Sequence, residues 1–399
     1  MSDSTLLSGH VSATVARSQA SAGEYLIAAQ DTTYYNYSGQ QHMPALGLIL
    51  GTARGLMQHN VFLLNQKGLP PGVLQQQHWT REGAMDWPAG RKESQKWFNA
   101  LAAVNQQAKG SDKRWVVTCD RESDIFEFFK APREETVDLL VRVFQPRRVE
   151  VVSAGAVCAL PNVAEHLDEY GNYRVQIERQ YEGKRRTVEL TLHLQAAIVH
   201  IHPRKDLSVA RHKTQALSLV VATEVACKDI KTEADCFEAD NALCWSLLTT
   251  LPIDSPEAVQ RIVSFYALRW RIERLHFTLK SGALNVEKLQ FDDVHTLANA
   301  LTFYAVVAWQ LLALTYALRD NPEQPAQALF DSNELVLLNR LSGKPVDSLR
   351  QATLALTHLV GFAPSKKQPL PGVKVLATAI ERFSFAKQGA AAISKPLQD

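Results

Sequence analysis

The sequence is poor in cysteine and has no metal-binding spacing among the cysteines it has. Its 399 residues contain five cysteines and no Cys-x-x-Cys pair, which excludes a disulfide-rich scaffold and a cysteine-ligated zinc site. An odd, scattered set of thiols is typical of a reducing compartment. The first twenty residues hold no apolar stretch of the kind that a secretory signal needs. We therefore expect a cytoplasmic protein.

The sequence also lacks a marked excess of charge of either sign. Lysine and arginine number 43 and aspartate and glutamate 41, for a net charge of +2 and a pI near 8.2. A chain that is basic throughout is excluded, so any surface that binds nucleic acid must be local. Residues 261–280 are such a stretch, with five basic side chains against one acidic side chain.

One long run without charge, residues 297–318, has the length of a membrane span. Polar side chains are spread through it, and no basic cluster flanks one end. A helix that is apolar on all sides is also what a large core contains. We therefore predict a buried core helix and no membrane contact. The polar side chains are those of Asn299, Thr302, Gln310 and Thr315.

Residues 265–280 are predicted to form one continuous helix that faces the core. Ser255 and Pro256 upstream are typical of a helix start, and Gly282 lies where the helix would stop. At 3.6 residues per turn, one polar set shares an arc about 60° wide. One apolar stripe, with Phe265, Ile272 and Leu275, is expected to face the core, and a second, with Trp270 and Phe277, borders the arc on its far side. Charges between two apolar stripes are unusual for a solvated face. A plain surface ion pair between residues four apart is the alternative. The arc comprises Tyr266, Arg269, Glu273 and Lys280.

Two short apolar runs are predicted to be buried strands that each end in a carboxylate. Residues 24–30 lead to Asp31, and residues 114–119 lead to Asp120. Strands are also expected at 46–50, 61–65 and 137–144. The predicted organisation is a lead-in (1–23), the first part of an α/β core (24–144), an all-β insertion (145–244), the second part of the core (245–320) and a helical region (321–399).

The insertion carries basic clusters and a histidine pair. The clusters could contact phosphates or simply be solvated, and the sequence leaves both open. His200 and His202 share one face of a strand but have no nearby third ligand, which argues against a metal site. The clusters are Arg147-Arg148, Lys184-Arg185-Arg186, Arg204-Lys205 and Arg211 with Lys213.

Asp31, Asp120 and Glu273 suggest a metal-dependent reaction on phosphodiesters. Strand exits of an α/β sheet are where ligands gather, and converging carboxylates repel each other unless cations lie among them. Carboxylate ligands suit Mg²⁺ or Mn²⁺. Two such ions about 3.5–4 Å apart can activate water and stabilise the leaving oxygen. We therefore expect two divalent ions, with Arg269 and Lys280 near the phosphates. Taken singly, each aspartate could be an ordinary turn residue.

The spacing Tyr266-x2-Arg269-x3-Glu273-x6-Lys280 resembles the YREK signature of bacterial DDE transposases of the insertion-sequence-four family, and is most similar to that of the transposon-five group. Residues 30–33 (Gln-Asp-Thr-Thr) and 119–124 (Cys-Asp-Arg-Glu-Ser-Asp) resemble the first and second catalytic aspartate motifs of that group. Residues 92–97 (Lys-Glu-Ser-Gln-Lys-Trp) resemble its helix between the motifs. The resemblance runs from residue 24 to the carboxyl terminus.

The resemblance implies a ribonuclease-H-like mixed sheet with an all-β insertion and a helical carboxyl-terminal region that pairs two protomers on DNA. It implies cut-and-paste transposition in a bacterial nucleoid, with cleavage of double-stranded transposon ends, a hairpin intermediate and strand transfer to target DNA. The residues matched are Asp31, Asp120 and Glu273 as metal ligands, Tyr266, Arg269 and Lys280 as phosphate contacts, Trp245 as acceptor of a flipped base, and Arg142 as a basic residue near the site.

The chain departs from the family in one respect. Members usually carry an end-recognition domain before the first aspartate, whereas thirty residues precede Asp31 here. Two alternatives therefore stand beside an active transposase. One is a truncated protomer that acts as an inhibitory partner, and the other is a simple ribonuclease-H-like nuclease.

Overall fold

A computed structural model describes residues 3–40, 43, 46–81, 85, 92–181, 183–203, 214–366 and 368–394. Within these ranges the protein is a mixed α/β structure built on one twelve-stranded sheet. The strands are β1 (Tyr25–Asn36), β2 (Gly47–Leu50), β3 (Ala53–Asn65), β4 (Gly72–Trp79), β5 (Arg114–Cys119), β6 (Val137–Arg142), β7 (Arg148–Val151), β8 (Ala156–Ala159), β9 (Asp168–Tyr181), β10 (Lys184–Ile201), β11 (Gln215–Asp229) and β12 (Cys244–Thr249).

The helices cover the sheet and then form the carboxyl-terminal part of the chain. A π-helical turn, Thr278–Gly282, follows the fifth helix. The helices are α1 (Asp3–Ala20), α2 (Gln95–Ala108), α3 (Phe126–Phe129), α4 (Pro256–Leu268), α5 (Trp270–Phe277), α6 (Val294–Asp320), α7 (Ser332–Ser342), α8 (Leu349–His358) and α9 (Val373–Ser394).

The centre of the sheet is mixed in direction. Strands β1, β5 and β6 are parallel neighbours, while β3 pairs with β1 and β12 with β6 in the antiparallel sense. Alternate residues of β1 belong to two different apolar clusters: Leu26 and Ala28 to the one that holds α2, Ile27 and Ala29 to the one that holds α4 and α5. Both faces of β1 are therefore buried, as continuous apolar runs predict. The predicted α/β class with a mixed sheet is confirmed.

The predicted insertion is all-β but does not form a separate sheet. Between β6 and β12 the described chain contains strands β7 to β11 and short 3₁₀ turns. Strand β11 pairs with β12, and β10 pairs with β9, β11 and β7. The insertion strands therefore extend the central sheet beyond β12.

The amino-terminal segment, predicted as a loose or partly helical lead-in, is a helix over most of its length. In α1, Arg17 donates from Nε to the Pro71 carbonyl at 2.8 Å, and its guanidinium lies 4.4 Å from the Trp309 ring centroid. Thr14 packs so closely on Gly72 that a Cβ there would lie 2.0 Å from its hydroxyl oxygen. The weak periodicity of α1 concealed a helix that tertiary contacts stabilise.

Helix α6 has the length and hydropathy of a membrane span, but 56% of its apolar window is buried inside the protein. The Trp309 indole donates from Nε1 to the Pro70 carbonyl at 2.8 Å. Further along the chain, α7, α8 and α9 pack around Leu311, Leu314 and Leu318 of α6 as an apolar cluster of their own. This agrees with the predicted buried helix and helical carboxyl-terminal region.

Candidate active site

The register of β1 and β5 places Asp31 beside Asp120. Tyr25 pairs with Arg114 and Ala29 with Thr118, a constant offset of 89 residues. Continuing that offset brings Asp31 opposite Asp120. Because neighbouring strands lie about 4.8 Å apart, two residues remote in sequence become adjacent.

The sequence predicted Asp31 at the exit of its strand, but in the structure Asp31 lies within the strand. Strand β1 continues through Asn36, and Asp31 pairs with Asn60 of β3. Strand β5 ends at Cys119, so its pairing with β1 stops just before Asp31. The carboxyl group therefore lies where β1 has a neighbour on one edge only, which leaves room for side chains from other elements.

The predicted continuous helix is broken at Arg269. The Arg269 amide donates to the Tyr266 carbonyl at 3.1 Å, and the Ile272 amide donates to the Arg269 carbonyl at 3.0 Å. These bonds between residues three apart tighten the chain between α4 and α5. No glycine or proline marks the break, so composition could not reveal it. The Pro256 start and the end at Gly282 agree with the sequence prediction.

The guanidinium of Arg269 connects the carboxylates. Its Nη2 donates to Glu273 Oε1 at 2.9 Å, and its Nη1 lies 3.8 Å from Asp31 Oδ2. The Arg269 side chain is only 6% exposed, against 17% for Asp31 and 36% for Glu273. The alternative of an ordinary surface ion pair is therefore wrong, because this arginine is buried and faces a second acid.

Two donors of this buried guanidinium lack a partner among the described residues. Neither Nε nor Nη1 of Arg269 has a well-aligned hydrogen-bond acceptor. A buried donor left unpaired costs free energy, so such groups are rare in folded proteins. A bound anion would supply an acceptor for one of these donors.

The acids and the arginine shift each other's pKa values. Burial raises the pKa of Asp31, Asp120 and Glu273, and repulsion from Asp31 adds to the rise for the other two. Burial disfavours the charge of Arg269, but Tyr266 and the three carboxyls more than offset it and raise its pKa. Burial and mutual repulsion therefore disfavour the ionisation of all three carboxyl groups at once.

A short turn holds Asp120, and a buried lysine is paired with Glu122 of that turn. The Glu122 amide donates to Asp120 Oδ1 at 2.9 Å. Glu122 in turn pairs with Lys96 of α2 at 2.9 Å, and the Lys96 ammonium lies 5.6 Å from the Trp79 ring centroid and 5.3 Å from that of Trp97. The resemblance pointed to the segment that contains Lys96, but nothing in the sequence singled out the lysine itself.

Sequence reasoning missed His276, which lies behind Asp31. Its Nδ1 is 3.6 Å from Asp31 Oδ2, and its Nε2 lies 3.0 Å from Asn60 Nδ2. An amide nitrogen only donates, so Nε2 is the acceptor and Nδ1 carries the proton that faces the carboxylate. Burial, with the charges of Lys280 and Arg269, lowers the pKa of His276 to about 3. Its position three residues after Glu273 was the available signal.

Two of the predicted DNA contacts are core residues in this structure. Trp245 and Tyr266 are each 1% exposed, and their rings meet edge to face with centroids 5.1 Å apart. Neither ring is accessible to a flipped base or to a phosphate in this conformation. In this conformation both side chains fill the cluster between the sheet and α4, and their direct contact with DNA stays a prediction.

The remaining predicted contacts are partly exposed at the edges of the cluster. Lys280 lies in the π-helical turn, with its ammonium 3.9 Å from Glu287. Arg142 is half-buried at the end of β6, where Nη2 lies 3.5 Å from the Cys244 carbonyl. Both leave room for a further anionic partner, and their role in DNA binding stays a prediction.

The donor chemistry fits a hard divalent cation, since three carboxyl groups with raised pKa values face one guanidinium. In the present arrangement, however, no group of three His, Cys, Asp or Glu side chains within the described ranges is placed to hold a metal ion. Arg269 supplies the compensating charge between Asp31 and Glu273 instead. Two-metal binding therefore stays a prediction.

Several basic and histidine side chains of the insertion form ion pairs within the protein. Arg147 forms a close ion pair with buried Asp124, so it is not free for phosphate. The pairing of Asp124 with Arg147 also fixes the start of the insertion. His200 Nδ1 lies 3.5 Å from Glu150, without a third ligand among the described residues. Residues 204–213 and the side chains of Lys184 and Arg185 lie outside the described part of the chain.

The fold and the cluster together define a mixed α/β protein with partly buried acids around one buried arginine. No family model matches the chain. Among solved structures it is similar to a piggyBac transposase synaptic complex with hairpin DNA, at 10% sequence identity and a TM-score of 0.38. The match covers 95% of this chain and 63% of that one, so the protein spans less than two thirds of that transposase's length. A likeness at that level does not establish a family or an activity.

Proposed function

We propose that the protein is a metal-dependent DNA transposase of DDE type, with a ribonuclease-H-like core. The observation that carries the proposal is the contact of the buried Arg269 guanidinium with Asp31 and Glu273, next to Asp120 at the end of the strand that neighbours β1. The offset of β1 against β5 brings the two aspartates together, and the tightened turn before α5 brings Arg269 and Glu273 to them.

Each residue of the proposed active site has a role that follows from its chemistry. Asp31, Asp120 and Glu273 would hold two Mg²⁺ or Mn²⁺ ions, which would supply an activated water and charge stabilisation at the leaving oxygen. The unpaired Nη1 of Arg269 donates to a non-bridging phosphate oxygen, which gives this buried donor an acceptor. Lys280 and Arg142 contact flanking phosphates from the edges of the cluster. His276, through Nδ1–H, keeps Asp31 oriented.

The partners and the setting follow from the same proposal. Double-stranded DNA, as transposon ends and as target, is the substrate in a bacterial nucleoid, and two copies of the chain meet on it through the helical region from α7 to α9. Cleavage is followed by a hairpin and by strand transfer. Hydrolysis requires only the carboxylate cluster and Arg269, so a simple nuclease uses the same groups and differs in its products.

The test is cleavage of labelled duplex DNA that carries the sequences flanking the protein's own reading frame, with Mg²⁺ present. We expect Glu273→Gln and Asp120→Asn to abolish nicking. Glu323→Gln, which changes a carboxylate paired with Arg350 in the helical region, should nick as the wild type does. Undiminished nicking by either site variant would overturn the proposal. Nicked products without hairpin ends would identify a nuclease, and inhibition of an active full-length relative would identify a truncated partner.

A further inference from the structure

The thiols of Cys227 and Cys236 lie in direct contact inside the insertion. Their sulfur atoms are 2.7 Å apart, and the two residues are 1% and 3% exposed. Cys227 belongs to β11, and Cys236 lies in the connection that leads to β12. Both are free cysteines. The site is well separated in sequence from the acids of the proposed active site.

The backbone holds the two cysteines opposite each other. The Cys236 amide donates to the Cys227 carbonyl at 3.0 Å, and Lys228 and Asp235 form an antiparallel bridge next to them. Asp229 closes the turn, since its amide donates to the Ala234 carbonyl at 3.0 Å. Opposed residues on antiparallel strands have Cα atoms about 5.5 Å apart, which is within the span of a disulfide.

We propose that Cys227 and Cys236 are a dithiol site that a small disulfide oxidant converts to an intramolecular disulfide. One cysteine loses its proton and attacks the oxidant RSSR, which releases one RSH and leaves a mixed disulfide. The other cysteine loses its proton and displaces the second RSH. Two electrons pass from the cysteines to RSSR, and two protons pass to the two RSH molecules. The disulfide crosslinks the hairpin at the end of β11.

Access to the pair is controlled by the hairpin. Burial, and the hydrogen bond with Cys236, raise the pKa of the Cys227 thiol to about 12, so the closed hairpin contains little thiolate. Side chains on the surface of the same segment are partly exposed, with Ile230 at 41% and Phe237 at 37%. A local opening of this edge therefore admits the oxidant, and the new bond then favours the closed form because it restricts the open chain.

The experiment equilibrates the full chain with reduced and oxidised glutathione over a range of ratios, followed by alkylation and peptide mass mapping. Trypsin separates the two cysteines because it cuts after Lys228 and Lys231, and an enzyme that cuts after Glu238 separates Cys236 from Cys244. Cys158 and Cys244 serve as internal controls. Variants Cys227→Ser and Cys236→Ser each leave one thiol of the pair.

We expect one crosslinked peptide pair that joins Cys227 to Cys236. At a potential roughly 30 mV above the midpoint of the pair, the amount of alkylated dithiol should be about tenfold lower than in the fully reduced protein. Cys158 should stay alkylated at that ratio. Oxidation should raise the Tm of the wild type and leave the Tm of either serine variant unchanged. Equal alkylation of all four cysteines throughout, or a disulfide that uses Cys244, would overturn the proposal. The wild-type mass map alone decides this if a serine variant fails to fold.

Discussion

Replacing Trp245 with alanine tests whether this side chain is a core residue or a DNA contact. The indole is 1% exposed, and it packs edge to face on Tyr266 at 5.1 Å within the cluster that joins the sheet to α4. Removal of a fully buried Trp creates a cavity and costs about 3–5 kcal/mol. The aromatic pair accounts for about 0.5–1.5 kcal/mol of that loss. A ring that served mainly to stack on a base would cost little on removal.

The assay is urea unfolding followed by far-UV circular dichroism, which does not depend on the fluorescence of the substituted residue. Trp270→Ala is the matched control, because the same substitution is made at a ring that is 42% exposed on the next helix. We expect its free energy of unfolding to change by about 1 kcal/mol, because the ring is partly exposed and its face lies 5.5 Å from the Arg269 guanidinium. Trp245→Phe should recover part of the loss, since it keeps an aromatic edge towards Tyr266.

A loss for Trp245→Ala no larger than that for Trp270→Ala would refute the packing described here. It would show that the ring leaves the cluster at little cost, as a base-stacking role requires. A large loss combined with wild-type DNA cleavage would establish Trp245 as structural.

Three further outcomes are expected. Asp120→Asn should stabilise the metal-free protein at neutral pH, because burial and Asp31 raise the pKa of Asp120. The ionised form of Asp120 therefore destabilises the fold as pH rises through that raised pKa. The difference in Tm between variant and wild type should vanish in acid, where Asp120 of the wild type is protonated. His276 has its pKa lowered from 6.5 to about 3, so the unfolded chain binds a proton that the folded one does not. Stability should fall as pH falls through that window, and His276→Asn should reduce the slope of Tm against pH. Asp124→Ala should cost about 3–5 kcal/mol in urea unfolding, because it removes the carboxylate that compensates the buried charge of Arg147; a cost below 1 kcal/mol would contradict the pairing.

Much of the architecture was accessible from sequence pattern. Apolar runs of six or seven residues predicted the buried strands β1 and β5, and helical spacing predicted that Phe265, Ile272 and Leu275 face the core, where each is at most 3% exposed. These predictions succeeded because burial on both faces of a strand, or on one stripe of a helix, leaves a period in the sequence.

Other features left no such period. The length of β1 beyond Asp31 was hidden because its last residues are polar, and the break at Arg269 was hidden because no helix breaker marks it. Trp270 and Phe277, assigned from spacing to a second apolar stripe, are each 42% exposed. The contact of His276 with Asp31 depends on how α5 lies against β1, which spacing along one helix cannot show.

The constant offset between β1 and β5 also indicates which segments of the chain can vary in length. The connections between the elements that separate these two strands can be lengthened or shortened without separating Asp31 from Asp120, since the pairing of β1 with β5 sets their offset. Addition of a single residue within either strand, by contrast, moves one carboxyl group to the opposite face of the sheet. Insertional scanning of this gene should therefore find tolerant sites in the connections and abrupt loss of function at two short intervals.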